Sequence, residues 1–203
     1  LACAYRAVWQ NMRDNRPAHA AIGVGATACG WALGYLFVTF LRHFVATPVE
    51  PQADPALFLP PLESGAWFVF PAALALSLAF AGSTASLYLI HRRDKDDFGR
   101  DYYNYTLKLA SKWALFASLA ALAAFAGYFA ALWPVVRNLP IRPFFFWSSA
   151  AGLTCFLMAC TLWVLVLKNQ NPLRLKLHCV AAYFLALAGF SGILAAMARL
   201  CFG

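Results

Sequence analysis

Four histidines are the residues best equipped for chemistry in this chain, and each stands at the edge of an apolar run. His19, His91 and His178 flank three different runs on one side of the charge pattern set out below, and His43 stands alone on the other. A neutral imidazole is a natural axial ligand for haem iron, and two on different helices can clamp a b-type haem within a bundle. Three imidazoles at one depth meet the first geometric demand. His91 and His178 are the pair expected to ligate such an iron, with His19 as a third candidate. His178 is favoured because Lys176-Leu177-His178-Cys179 sets it about one turn into its helix. The competing reading is that helix-end histidines bond to headgroups, water or loop carbonyls, and His91 also opens the basic run His91-Arg92-Arg93.

A quinone is the second chemistry considered. It wants an amphipathic pocket near one interface with a proton-exchanging group, and Lys112, Tyr183, His178 and Asp101 are all expected near the same surface. Lys112 beside Trp113 reads equally well as a snorkelling cation next to an aromatic anchor. Cys3, Cys29, Cys155, Cys160, Cys179 and Cys201 are scattered without a C-x-x-C pair, as expected of small packing residues. No nucleophile–base pair or metal cluster is visible, so a stand-alone enzyme is not expected.

The elements that must position these side chains follow from composition. Of 203 residues, 63% are hydrophobic and 12% charged, whereas soluble domains carry about 25% charged residues. A lipid solvent accommodates such a chain and water does not. The expected fold is an all-α integral membrane protein with about five transmembrane helices. Apolar runs place them over residues 19–44, 66–91, 109–134, 143–168 and 176–201. Each is long enough, at about 1.5 Å per residue, to cross about 30 Å of hydrocarbon with some tilt. These runs form one transmembrane bundle over 19–203. Residues 1–18 set Tyr5, Val8, Trp9 and Met12 at helical spacing among Arg6, Arg13 and Arg16, the pattern of a helix lying in the interface. The Pro-rich stretch 45–65 reads as a loop. No β-alternation is present, which excludes a barrel.

Charge sets orientation. With five crossings, twelve basic residues fall on one face (Arg6, Arg13, Arg16, Arg92, Arg93, Lys95, Arg100, Lys108, Lys112, Lys168, Arg174, Lys176) and four on the other (Arg42, Arg137, Arg142, Arg199). The basic face stays in the cytoplasm, so the N-terminus is expected inside and the C-terminus outside. The net charge of +8 is a topology signal on this reading, with no nucleic acid implied. All eight acids lie outside the apolar runs, which argues against a carboxylate-driven transporter.

A repeat is visible as well. Gly127-Tyr128 precedes Arg137 by the same ten residues that separate Gly189-Phe190 from Arg199. The second and fourth runs end alike, in Leu87-Tyr88-Leu89-Ile90 and Leu162-Trp163-Val164-Leu165. Duplication of a two-helix hairpin and chance likeness of Ala/Leu-rich helices both remain open. Gly82 with Ser86, and Ser148 with Gly152, have the small-xxx-small spacing that lets helix backbones approach. The connector over 92–108, with Gly99 breaking it, reads by default as a solvated, partly helical loop with local ion pairs, and on the sharper reading as a docking surface for a peripheral subunit through Phe98, Tyr102, Tyr103 and Tyr105.

Residues 66–134, and in particular Leu87-Tyr88-Leu89-Ile90-His91 through the connector to Lys112-Trp113, resemble helical hairpins of bacterial respiratory membrane subunits. The large subunit of bd-type quinol oxidases is the nearest likeness. That family holds haem on His and Met residues inside the bundle and has a distinctive quinone loop. Here no His lies at mid-bilayer and that loop is absent, so the resemblance implies a small membrane subunit rather than a full oxidase. The functional expectation is a membrane-anchoring subunit of a multi-subunit respiratory electron-transfer complex in a bacterial inner membrane, with haem b or a quinone as cofactor. Its partners would be lipid, other membrane subunits and a peripheral subunit at 92–108. A non-redox assembly or scaffold subunit is the alternative, and a transporter or channel component stands third.

Overall fold

A computed structural model describes residues 16–46, 66–93, 95, 98–140 and 142–202, and no strand occurs among them. The chain divides into two units, Leu1–Pro61 and Leu62–Gly203. In the first unit, α1 spans Arg16–Ala46. The second contains α2 (Ala66–Arg92), α3 (Arg100–Val136), α4 (Arg142–Lys168), a 3-10 turn at Pro172–Leu175 and α5 (Lys176–Phe202). Most of the expected interfacial helix and most of the Pro-rich stretch lie outside the described residues.

The four helices of the second unit are each long and apolar enough to cross a membrane, and the described apolar stretch of α1 covers Ala20–Leu36. The surface of the second unit gives the same answer by a different route. Its outward side chains include Leu74, Leu78, Phe116, Leu119, Leu157, Met158, Leu165 and Phe184, while its interior is rich in Ala72, Ala75, Ala79, Ala114, Ala121, Ala159, Ala182 and Ala186. Large outside and small inside is the arrangement expected where lipid tails are as apolar as the core, so that close packing holds the helices together. A water-soluble surface rarely exposes so continuous an apolar patch. The protein is a multi-pass α-helical membrane protein.

Two antiparallel hairpins, α2–α3 and α4–α5, build the bundle. Their helices meet at glycines. A Cβ placed on Gly82 of α2 would stand 2.7 Å from the Ala114 nitrogen and 2.8 Å from the Ala110 oxygen of α3. One placed on Gly152 of α4 would stand 2.7 Å from the Gly189 oxygen of α5. Both small-xxx-small pairs seen in the sequence therefore serve packing inside the chain: Ser86 is fully buried beside Gly82, and Ser148 Oγ donates to the Gly192 oxygen at 2.8 Å. The hairpins join through α3 against α4 and through α2 against α5, which leaves α3 and α5 on a diagonal. Edge-on rings mark both seams, Phe129 on Phe145 in the first and Phe80 on Tyr183 and Phe190 in the second.

Both bounds of the first and third helices differ from the sequence expectation by two residues or more. The first helix begins at Arg16, inside the stretch expected to lie in the interface, and runs on to Ala46. The third begins at Arg100, so residues 100–108 are helix and only the part around Gly99 is connector. Gly99 has φ 81° and ends the connector where α3 starts, a conformation that costs a glycine little. Hydropathy marks where a helix enters lipid and is blind to the turns that precede entry, which is why the polar run Asp101–Lys108 reads as helical only in part. The last two helices begin within a residue of expectation, and the turn between them is held by Asn169 Oδ1 accepting from the Asn171 amide at 2.8 Å.

Candidate functional site

One end of the α2–α5 bundle collects nearly all the groups singled out in the sequence. It comprises the end of α2, the start of α3, the end of α4, the 3-10 turn and the start of α5. The side chains of Arg92, Arg93, Lys95, Arg100, Lys108, Lys168, Arg174 and Lys176 all belong to it, while Lys112 lies deeper, level with Gly82. The other end has Arg137 and Arg142 among the described side chains. This clustering is the basic face that the charge pattern groups on one side of the spans.

Packing seals that end. Pro172 and Leu173 of the 3-10 turn are buried, and Arg100 Nη2 donates to Asn171 Oδ1 at 2.6 Å, tying the start of α3 to the α4–α5 turn. Beneath this clasp lie Tyr103, Leu107, Trp163, Val166, Cys179 and Ala182. Trp163 is 0% exposed and its Nε1 has no hydrogen-bond partner among the described residues.

Both candidate haem ligands of the bundle sit at this end, on different sides of it. His91 is exposed in the last turn of α2, with Nε2 3.3 Å from Lys95 Nζ. It lies about three turns from Phe80 along the same side of α2, and that side meets α5. His178 is half-buried in the first turn of α5, about three turns from Gly189, on the side that meets α4. The register thus turns His91 toward α5 and His178 toward α4. His19 lies on α1, and its side chain falls outside the described ones, as does that of His43. No group of three or more His, Cys, Asp or Glu able to hold a metal occurs among the described residues.

The residues expected around a quinone are likewise separated. Tyr183 packs edge-on against Phe80, ring centroids 6.2 Å apart, on the α2 side of α5. Lys112 is exposed on α3, the helix diagonal to α5. Asp101 is exposed near the start of α3. A shared depth is legible in a sequence; a shared side depends on which neighbour each helix face meets.

Of the aromatics named for docking, Tyr103 is buried, whereas Phe98, Tyr102 and Tyr105 are 64%, 47% and 69% exposed, and the Phe98 and Tyr102 rings lie 5.2 Å apart. Their adjacency depends on the helical start of α3. One feature was not singled out beforehand, a groove of about 450 Å³ on the outer face of the α2–α3 hairpin. Ala81, Gly82, Ala85 and Ala110 line it together with Tyr88 and Trp113. Its one advance signal was a run of small residues closed by an aromatic on each helix.

No family matches this chain, and no curated protein sequence or solved structure matches it either.

Proposed function

We propose that the protein is a membrane-anchoring subunit of a larger electron-transfer complex in a bacterial inner membrane, and that it docks a peripheral subunit at its basic end. The observation that carries this reading is the contrast between that end and the interior. The buried residues of the second unit are Ala, Leu, Phe, Trp, Cys, Ser and similar side chains, and no charged side chain is among the described buried ones. Transport coupled to protons or sodium commonly uses such groups at membrane depth. The basic end instead presents Phe98, Tyr102 and Tyr105 beside Arg92, Lys95 and Lys108, and exposed aromatics with cations are the usual anchors of a protein interface.

The electron-transfer setting rests on His91 and His178 standing at one end, where a haem b would take them as axial ligands, and on Lys112 and Tyr183 at similar depth for a quinone. The divergent sides of the two histidines favour a second reading, in which the subunit anchors and assembles its complex without carrying electrons. Purification of the tagged chain from native membranes tests both. The proposal expects a co-purifying peripheral subunit that is lost on Tyr105→Glu with Phe98→Glu, while helicity is kept. A chain recovered alone overturns it. The reduced-minus-oxidised spectrum separates the two readings: a b-type haem band that His178→Ala abolishes supports the redox role, and a featureless spectrum of the intact complex supports the scaffold.

A further inference from the structure

The groove on the α2–α3 hairpin exists because Gly82 draws the two helices together while their outward faces carry alanine. Ala81, Gly82, Ala85 and Ala110 form a floor without bulk, Leu78 and Leu109 stand beside it, and Tyr88 and Trp113 rise as aromatic walls. Its volume of about 450 Å³ falls within the roughly 300–1,000 Å³ of small-molecule sites. The lining is apolar apart from the Tyr88 hydroxyl, the Trp113 indole N–H and the Thr106 hydroxyl, and Thr106 Oγ1 already donates to the Tyr102 oxygen at 2.8 Å. The groove therefore suits a hydrocarbon chain, with little in its walls for a polar head.

Charge at one end identifies the head. Arg92 follows Ala85 by about two turns on the same side of α2, and its guanidinium lies 6.0 Å from the centre of the Tyr88 ring. On α3, Lys112 and Asp101 stand three turns apart on one side, about a third of a turn from the side that carries Thr106 and Trp113, so neither faces the groove. Arg92 thus stands at the groove's basic end, just beyond Tyr88, where aromatic rings mark the headgroup region. A basic recess between transmembrane helices on the cytoplasmic side is suited to anionic lipid headgroups.

We infer that the α2–α3 groove binds an anionic phospholipid, its acyl chain against Ala81, Gly82, Ala85 and Ala110 and its phosphate at Arg92. This goes beyond the anchoring role and stands whether or not a peripheral subunit docks. The occupant is a lipid in place of a partner helix because the recess ends beside a cation, Arg92, which suits a phosphate better than the apolar flank of a helix.

The test is native mass spectrometry of the full chain released from detergent micelles, with phosphatidylglycerol and phosphatidylcholine of equal chain length. Phosphatidylglycerol adducts are expected to survive activation that strips phosphatidylcholine. Arg92→Gln should lower phosphatidylglycerol retention about five-fold, the effect of one basic residue near a membrane surface, and leave phosphatidylcholine unchanged. Ala85→Leu, which fills an exposed floor position, should remove retention of both. Equal retention of the two lipids overturns the inference, as does wild-type retention by both variants. A lipid-free dimer that Ala85→Leu converts to monomer also overturns it, by assigning the groove to a second copy.

Discussion

The two hairpins of the bundle use glycine in the same way and finish differently. In α4–α5, Gly152 faces Gly189 and Gly192, backbone lies on backbone, and the Ser148 hydroxyl adds a bond across the seam. In α2–α3, Gly82 lies against Ala110 and Ala114, and the same close approach leaves a recess on the outward face, walled by Tyr88 and Trp113. One hairpin spends its small residues on adhesion alone; the other also shapes a surface with them.

Substitution at the contact glycines is the strongest way to break the comparison. Gly152→Val and Gly82→Val should be the most damaging, because each side chain would enter the backbone of the facing helix, which cannot turn aside. A loss of about 3 kcal/mol is expected for each, read as a fall in the thermal midpoint of helicity in detergent. Gly82→Val should also abolish the recess, so lipid retention falls with stability; retention that survives would separate the recess from the seam. Ser148→Ala removes one interhelical hydrogen bond and should cost about 0.6 kcal/mol, measured in the same melts. Gly127→Ala should be close to neutral. The added methyl meets the Phe68 ring, half exposed and free to shift, and alanine's helix propensity offsets the contact by about 1 kcal/mol.

The helices were legible because their signal is additive: runs of Leu, Ala, Phe and Val long enough to span lipid, bounded by Arg and Lys. The end of α2, both ends of α4 and the start of α5 fall within a residue of where those runs stop. The start of α3 did not follow, since Tyr102, Asn104 and Thr106 carry no apolar run although Gly99 marks the break before them. Gly82 and Gly152 were recognised as packing residues, but their partners Ala110 and Gly189 were not, because spacing within one helix says nothing of the register of the next. The candidate site fared likewise. Depth placed His91, His178, Lys112 and Tyr183 near one end, and the faces that separate them emerged only with the neighbours in place. As for the repeat, both hairpins are closed by glycine, yet Gly127 seats the Phe68 ring while Gly189 seats that of Phe156 and also the Gly152 backbone.

The bond from Arg100 to Asn171 spans 71 positions of the chain. A ribosome inserting this protein delivers the donor long before the acceptor exists, so the earlier pair of helices must wait in lipid, side by side, for the later pair to arrive. Gly82 is what allows the wait: the first pair is already self-adhesive, and the latch at its foot records that the second has come home.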